Sequence, residues 1–292
     1  MQDWSGVSGK RVIITGATNG IGLAAAQELA RRGAKLSIVA RDEARAAAAT
    51  ARIIAAAGAG TEVEVLSADL SSQASTRKLA AEILARHPRI DVLINNAGAI
   101  NSSRRLTADG LELSWSVNHL APFLLTNLLL ERIRESAPAR IVTTSSGAHR
   151  GVTIPFEDVN ADRGYRSFTR YGQTKLANIL FTSELARHLE GTAVTANCFH
   201  PGFVATGFNR NNGSVMALGM TLARPFARSP RKGAETLVWL ADSAEVSAES
   251  GGYFMDRKRR EPSAAARDDA AARRLWELSL EETGLAATAA AT

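Results

Sequence analysis

The stretch TGATNGIG, residues 15–22, decides the fold. It joins the apolar run RVIIT (11–15), which predicts a buried strand, to a helical stretch that begins LAAAQELA. Its glycines, Gly16, Gly20 and Gly22, allow a tight turn and let the backbone approach a ligand closely. The free N–H groups at the helix start would then meet a pyrophosphate. The turn therefore predicts a dinucleotide site; the alternative is a plain strand–helix turn that needs flexibility.

The same alternation of strand and helix continues on the carboxyl side of this turn. Short apolar runs predict further strands at 35–41, 62–70, 90–98, 139–146, 192–202 and 251–255. Helical stretches lie between them at 42–57, 72–86, 111–134, 170–189 and 231–241. This pattern predicts an α/β fold with a mainly parallel sheet and helices on both faces. We expect one domain over 1–292, with a core of about 8–255, a C-terminal segment 256–292 and a disordered tail 284–292.

The composition is that of a globular protein. Of the 292 residues, 45% are hydrophobic and 22% are charged, which excludes a disordered chain over most of the length. The net charge of +6 comes from scattered arginines and one cluster, DRKRR (256–260). No nucleic-acid motif accompanies them, so we expect a solvated surface and no nucleic-acid partner. A mildly basic surface also suits an anionic, phosphorylated cofactor.

The cysteine content and the hydropathy of the sequence indicate the cellular compartment of the protein. Cys198 is the one cysteine, so no disulfide can form within the chain, which fits a reducing compartment. Its expected role is that of a small buried hydrophobe. The N-terminal sequence lacks an apolar signal core, and the longest apolar run, APFLLTNLLL (121–130), is too short to span a membrane. These features predict a soluble, cytoplasmic protein.

The end of the second strand indicates which dinucleotide is bound. A carboxylate there would hold a ribose 2′-hydroxyl, whereas an arginine accommodates a 2′-phosphate. The sequence places Ala40 and then Arg41 at this point. We therefore predict NADP(H) over NAD(H). The alternative is that Arg41 is a solvated charge and Asp42 is the ribose ligand.

Polar groups also follow the third and fourth strands. Asp69 ends the third strand, where it could bind the adenine amine or cap the next helix. NNAG (95–98) ends the fourth strand at the same edge of the sheet. Its asparagines can hydrogen-bond neighbouring backbone, and Gly98 would let a cofactor pass close by.

Tyr171 and Lys175 lie four residues apart in RYGQTKLANILF (170–181), so a helix places them on one face. By itself the pair could be two solvated side chains. A tyrosine has a pKa of roughly 10, and a nearby cation lowers it. Such tuning toward the working pH is what an acid/base catalyst requires.

With these motifs in place, the chain resembles the classical short-chain dehydrogenase/reductase family over about residues 8–255. The resemblance rests on Thr-Gly-x-x-x-Gly-Ile-Gly at 15–22, Asp69, Asn-Asn-Ala-Gly at 95–98, Tyr-x-x-x-Lys at 171–175, and Pro-Gly at 201–202. The stretches SVNHLAPFLLTNLLL, SSGAH, YGQTKLANILFTSELARHL and HPGFVATGF look like the retinol-dehydrogenase-like and protochlorophyllide-reductase-like branch. That branch often handles bulky, apolar carbonyls or alcohols.

The resemblance implies a doubly wound Rossmann sheet of about seven strands and a catalytic set. Tyr171 would be the acid/base and Lys175 its partner, which also reaches the ribose hydroxyls. Ser146 would position the substrate oxygen; Ser145 precedes it and points to the other face of the strand. Asn118 would hold a water in a proton relay. The implied cofactor-binding residues are Gly16, Thr18, Asn19, Gly20, Ile21, Gly22, Arg41, Asp69, Leu70, Asn96, Ala97, Gly98, Tyr171, Lys175, Pro201, Gly202, Val204 and Thr206.

One departure from the family pattern is the spacing of 25 residues between Ser146 and Tyr171, where many members keep roughly half of that. The extra segment 149–168 matches an insertion of the retinol-dehydrogenase-like branch, and we expect it to loop out over the pocket. Tyr165 is a poor rival to Tyr171, since no lysine follows it four residues later. His149 and His200 are interpreted as structural or loop residues, and two scattered histidines do not make a metal site.

The segment 202–230 follows the sixth strand and mixes Phe, Met, Leu and Gly. Its length and apolar character favour a lid, at about 203–230, over an apolar substrate, or a helix pair that packs on the core. The long helices 111–134 and 170–189 often pair between subunits in this family, so the resemblance implies a homodimer or homotetramer. The resulting prediction is an NADP(H)-dependent oxidoreductase that interconverts a carbonyl and an alcohol. A C=C reductase and a non-catalytic nucleotide-binding regulator remain the alternatives.

Overall fold

Eight strands lie side by side in the part of the chain that the computed structural model describes, residues 4–204 and 227–285. Their order across the sheet is β3-β2-β1-β4-β5-β6-β7-β8. The strands are Arg11–Thr15 (β1), Lys35–Ala40 (β2), Val63–Ser67 (β3), Val92–Asn95 (β4), Ala139–Thr144 (β5), Val194–Phe199 (β6), Tyr253–Met255 (β7) and Lys258–Arg259 (β8). The reversal of order between β1 and β4 makes the sheet doubly wound, as the sequence predicts.

The sheet has one strand more than the seven predicted. β1 to β7 are parallel, whereas β8 is a two-residue strand that runs antiparallel to β7. Asp256 and Arg257 join the two strands, and both have positive φ, at 54° and 56°. Two consecutive left-handed residues make the tight turn that closes a short hairpin. The extra strand is a hairpin at the sheet edge and leaves the parallel core unchanged.

Helices cover both faces of this sheet. The α-helices are Gly20–Arg31 (α1), Glu43–Ala57 (α2), Gln73–Arg86 (α3), Leu113–Trp115 (α4), Ala121–Glu135 (α5), Ser167–His188 (α6), Pro230–Asp242 (α7) and Asp269–Glu282 (α8). In β1, Val12 and Ile14 pack toward α1 and α7, while Ile13 packs toward α3, α5 and α6. All three are fully buried. The continuous apolar run of the strand is thus explained by burial on both faces.

The long helix predicted at 111–134 is not continuous. α4 gives way to a π-helical turn, Ser116–Leu120, before α5 begins. Pro122 lies in the first turn of α5 and has no N–H to donate to the carbonyl of Asn118. The backbone bond that closes the wide turn runs from Ala121 N–H to the Ser116 carbonyl. Such single π-turns inside helices often mark functional sites.

Two further features concern the C-terminal helix and the length and polarity of the helices. α8 follows the sheet and packs against α6, where the sequence interpretation had assigned no element. Among the described residues, every helix is too short or too polar to cross a bilayer.

Candidate active site

The carboxyl ends of the parallel strands open into one large cavity of about 830 Å³. This volume lies in the upper part of the range of ligand pockets, about 300–1,000 Å³. The cavity lies where the strand order reverses, which is the usual ligand position in a doubly wound sheet. The predicted site residues that line it are Gly16, Thr18, Asn19, Ile21, Gly22, Arg41, Asp69, Leu70, Asn96, Ala97, Gly98, Ser146, Tyr171, Lys175, Pro201, Gly202 and Val204. Gly20 and Asn118 lie next in sequence to lining residues.

The glycine turn has the shape that a pyrophosphate requires. Gly16 and Gly20 have positive φ, at 69° and 53°, which side chains disfavour. A Cβ on Gly22 would lie 2.2 Å from the Gly16 carbonyl oxygen, so this glycine lets α1 pack against the turn. Asn19 caps α1 without a side-chain hydrogen bond to it. The first N–H groups of α1 therefore remain available to an anion in the cavity, and the turn fits a dinucleotide.

Asn96 holds this turn in place from the neighbouring strand. Its Nδ2 donates to the carbonyl oxygens of Thr15, at 3.1 Å, and Gly16, at 3.2 Å. Its backbone N–H donates to Thr15 Oγ1 at 3.0 Å. Asn95, by contrast, points away and donates to Thr126 Oγ1 at 2.9 Å. The predicted bonding of the NNAG motif to nearby backbone is thus made by Asn96.

Arg41 and Asp42 take different roles at the end of β2. Asp42 caps α2, and its carboxylate accepts from the Arg45 N–H at 2.8 Å. Arg41 lines the cavity and is exposed. Among the described residues, Arg41 makes no ion pair. The cation is available to a ligand, whereas the carboxylate serves the helix.

Asp69 is not the cap of α3. Ser72 has that position and accepts from the Ser75 N–H at 3.3 Å. The Asp69 carboxylate instead accepts from the N–H and the hydroxyl of Ser71, at 2.9 and 2.8 Å. This leaves an exposed carboxylate at the edge of the cavity, close to where the sequence expected an adenine.

Tyr171 and Lys175 face the cavity together from α6. The Lys175 Nζ lies 5.6 Å from the centre of the Tyr171 ring and donates to the Thr144 carbonyl at 3.1 Å. The Tyr171 hydroxyl is hydrogen-bonded to Ser146. Ser145 turns the other way and donates to the Lys175 carbonyl at 2.8 Å. The geometry therefore groups Ser146, and not Ser145, with the tyrosine and lysine.

The electrostatics of the pair differ from the expectation. Burial raises the pKa of Tyr171 to about 12, and the hydrogen bond with Ser146 lowers it only in part. Burial also lowers the pKa of Lys175 to about 8. The predicted lowering of the Tyr171 pKa is therefore wrong for the chain itself. Burial disfavours the phenolate form of Tyr171. This effect outweighs any stabilisation of the phenolate by Lys175, because burial also drives Lys175 toward its neutral form.

Asn118 lies behind the cavity wall, on the π-turn. It is fully buried, and its side chain exchanges two 2.7 Å hydrogen bonds with the backbone of Ala99. Its Nδ2 also donates to Thr174 Oγ1 at 3.1 Å. A Cβ on Gly98 would lie 3.3 Å from Asn118 Oδ1 and 3.4 Å from Lys175 Nζ. Gly98 thus allows the close approach of these two side chains, and the amide of Asn118 is occupied by protein partners.

The segment 149–168 does not loop out over the cavity as expected. It is tied down beside it: Asn160 Oδ1 accepts from the Glu112 N–H at 2.9 Å, and the Val159 carbonyl accepts from Arg170. Its end, Phe168, lines the cavity. Tyr165 donates to the Asn101 carbonyl at 2.9 Å, which confirms a packing role for that tyrosine.

The two histidines near the strand ends differ in surroundings. His149 is fully buried, and its Nε2 accepts from the Ser263 N–H at 3.1 Å, as a structural residue would. His200 lines the cavity, and burial lowers its pKa to about 4. His200 is thus a neutral imidazole in the cavity wall.

Thr206 and most of the predicted lid, residues 205–226, lie outside the described residues. Phe203 and Val204 line the cavity before that segment, and Arg228 follows it. Val204 and Arg228 form a parallel bridge, and the Arg228 N–H donates to the Phe203 carbonyl at 2.7 Å. The described residues on the two sides of 205–226 therefore pair with each other, and Phe203 and Val204 line the cavity.

Several lining residues were missed by the sequence interpretation. The apolar ones include Ile100, Leu113, Val117 and Phe168. Helical spacing could have found three of them. Leu113 lies one turn before Val117, which adjoins Asn118, and Phe168 lies one turn before Tyr171. They give the cavity an apolar wall beside the tyrosine.

Comparison with known proteins gives consistent matches. The sequence matches the short chain dehydrogenase family over residues 10–216. It is 44% identical to retinol dehydrogenase 14 of Mus musculus, over 95% of this chain and 86% of that protein. A crystal structure of an uncharacterised protein from Mycobacterium paratuberculosis superposes with a TM-score of 0.77 at 33% identity, covering 97% of this chain and 96% of the other. A short chain dehydrogenase from Burkholderia cenocepacia in complex with NADP has a TM-score of 0.69 at 25% identity, covering 90% and 99%.

Proposed function

Since this chain belongs to the short-chain dehydrogenase family, in its retinol-dehydrogenase-like branch, we propose that it is an NADP(H)-dependent oxidoreductase of apolar carbonyl and alcohol substrates. The observation that carries the proposal is the grouping of three side chains at one cavity wall. Tyr171 is hydrogen-bonded to Ser146, with Lys175 one turn further along α6. The cavity that they face also contains the glycine turn.

Each of the three side chains has a role in the proposed reaction. Ser146 donates to the substrate oxygen and polarises it. Tyr171 gives its proton to that oxygen in reduction and takes it back in oxidation. A pKa of about 12 keeps Tyr171 protonated near neutral pH, which is the form needed for reduction. Lys175, with a pKa of about 8, can exchange a proton near neutral pH and so restore the tyrosine.

Asn118 acts as a positioning residue in this proposal. Its amide is bonded to Ala99 and Thr174, so it fixes the loop after β4 against α6. Any water that it holds for a proton relay would have to bind at its backbone carbonyl, since Pro122 cannot donate to that atom.

The cofactor is proposed to be NADP(H). The glycine turn and the first turn of α1 would hold its pyrophosphate, Asp69 its adenine and Arg41 its 2′-phosphate. When bound, the nicotinamide supplies or accepts the hydride. The contrast between the unpaired Arg41 and the helix-capping Asp42 supports NADP(H) over NAD(H).

The substrate is proposed to be bulky and apolar. The wall that contains Leu113, Val117 and Phe168 supports this, as does the similarity to proteins named for retinol.

The proposal is tested by measuring NADPH oxidation with a panel of apolar aldehydes and ketones that includes all-trans-retinal. We expect turnover by the wild type and a loss of about 10²-fold or more in Tyr171→Phe, because the proton donor is gone. Tyr165→Phe is the matched control and should remain within a few-fold of wild type. Turnover by Tyr171→Phe at nearly the wild-type rate would contradict the mechanism. Product analysis separates an alcohol from a reduced C=C bond.

The same assay with both coenzymes tests the cofactor assignment. Arg41→Ala should raise the KM for NADPH by about tenfold, the value of one charge-assisted contact, and leave the KM for NADH unchanged. Asp42→Asn should leave both values unchanged, because Asp42 caps a helix. A wild-type KM that is lower for NADH than for NADPH would overturn the assignment.

A further inference from the structure

Arg105 is a fourth charged residue that lines the cavity, besides Arg41, Asp69 and Lys175. The apolar residues Leu113, Val117 and Phe168 line the same cavity. The backbone carbonyl of Arg105 accepts from the Leu113 N–H at 2.8 Å, which fixes Arg105 beside Leu113. An arginine at the rim of an apolar cavity raises the question of its counterion.

The neighbouring arginine, Arg104, has its counterion within the protein. Arg104 donates to the Asn160 carbonyl at 2.9 Å and forms an ion pair with Asp162. Arg105 is exposed, and among residues 4–204 and 227–285 its side chain makes no hydrogen bond or ion pair. Two adjacent arginines therefore differ: one is bound to the protein, and the other is available to a ligand.

Among the described residues that line the cavity, carboxylates that could neutralise Arg105 are few. Asp69 is the one acidic residue among those that line the cavity, and its carboxylate is bonded to Ser71 at the nucleotide end. The counterion of Arg105 is therefore best sought in the substrate.

We infer that Arg105 binds a carboxylate at the far end of an apolar substrate whose carbonyl or alcohol reaches Tyr171. An arginine fork matches a carboxylate in geometry and charge. The apolar lining residues Leu113, Val117 and Phe168 would contact the part of the substrate between its two polar ends. This inference rests on the proposed function and narrows its substrate class.

Binding tests the inference without depending on turnover. Calorimetry in the presence of NADP⁺ compares decanoate with decanol on the wild type, Arg105→Ala and the matched control Arg104→Ala. We expect decanoate to bind the wild type more tightly than decanol does. Arg105→Ala should weaken decanoate by about tenfold, the ratio given by one charge-assisted pair, and leave decanol unchanged. Arg104→Ala should change neither.

Turnover separates failure of this inference from failure of the proposed function. The substrates are 10-oxodecanoate and its methyl ester, assayed with NADPH. We expect Arg105→Ala to raise the KM of the acid about tenfold, with little change for the ester or in kcat. Reduction of the ester alone, or equal effects on both, overturns the carboxylate site and leaves the oxidoreductase intact. Arg105-dependent decanoate binding with no reduction of either substrate would keep the site and contradict the function. Decanoate binding that is no tighter than decanol binding overturns the inference.

Discussion

Lys175 is a charged side chain in a buried position. It is 2% exposed, and its Nζ donates to the Thr144 carbonyl at 3.1 Å. Burial lowers its pKa from 10.5 to about 8, so the ammonium form is penalised in the folded state. Below pH 8 this penalty is present in full. Between pH 8 and 10.5 the folded chain releases the proton while the unfolded chain keeps it, so stability rises with pH. The catalytic role proposed for Lys175 therefore conflicts with folded-state stability.

We predict that Lys175→Met abolishes turnover and stabilises the chain near pH 7. A shift from 10.5 to about 8 corresponds to about 3 kcal/mol, from which the lost bond to Thr144 subtracts about 1 kcal/mol. The free energy of unfolding, measured with urea, should therefore be about 2 kcal/mol higher in the variant at pH 7. The difference should shrink as pH rises from 8 to 10.5.

The exposed Lys78→Met provides the control, and its free energy of unfolding at pH 7 should stay within about 0.5 kcal/mol of the wild type. A Lys175→Met variant that is less stable than wild type at pH 7 would contradict the predicted burial penalty.

The helices that present the site are joined by one buried ion pair. Arg170 directly precedes Tyr171 on α6, and its Nε donates to Glu112 at 2.7 Å. Glu112 in turn caps α4, where its carboxylate accepts from the N–H groups of Ser114 and Trp115, each at 2.9 Å. Both side chains of the pair are at most 1% exposed. The pair thus links α6, which contains Tyr171, to the start of the segment that leads to Asn118.

Removal of one partner should be costly. Arg170→Met leaves the Glu112 carboxylate buried without its cation, and we expect a loss of about 3–5 kcal/mol of stability. The double variant Glu112→Gln/Arg170→Met should recover part of this loss, because no uncompensated charge remains. Urea unfolding of the two single variants and the double variant gives the coupling energy.

Lys232→Met breaks an exposed pair with Glu235 and is the control, with an expected loss below about 1 kcal/mol. Strictly additive losses in the double variant would show that the buried pair does not act as a unit.

At the scale of secondary-structure elements, the sequence predicted most strands and helices but not the π-turn that interrupts the long helix at 111–134. Strand ends such as Thr15 and Asn95 were predicted closely because apolar runs stop where polar turn residues begin. The π-turn 116–120 was missed because apolar periodicity continues through it, and the effect of Pro122 depends on which carbonyl it faces. Helical spacing relates Phe168 to Tyr171, but the sequence does not show which helices border one cavity, so Leu113 and Phe168 were not assigned to it.

At the scale of the whole molecule, the C-terminal helix α8 packs on α5 and α6, the helices that the sequence predicted to pair between subunits. Trp276 of α8 packs against Phe123 of α5, with ring centres 5.0 Å apart, and stacks on His188 of α6 at 4.3 Å. Trp276 is 8% exposed. From the same helix, Ser279 hydrogen-bonds His119 at 2.9 Å. The C-terminal helix therefore covers a face of α5 and α6 with residues of the same chain.

We predict that the chain sediments as a monomer of 31.0 kDa and that Trp276 maintains this state. Trp276→Ala should cost about 3–5 kcal/mol, since the indole is buried against three other aromatic rings, those of Phe123, Phe181 and His188. It should also loosen α8 and uncover apolar surface on α5 and α6, which favours self-association. Urea unfolding measures the first effect and sedimentation velocity at micromolar concentration the second. Trp239→Ala, on the opposite layer of helices, is the control: its indole is partly exposed, so it should cost less and leave the mass unchanged. A wild-type dimer that persists unchanged in Trp276→Ala would show that another surface joins the subunits and that α8 covers α5 and α6 without controlling assembly.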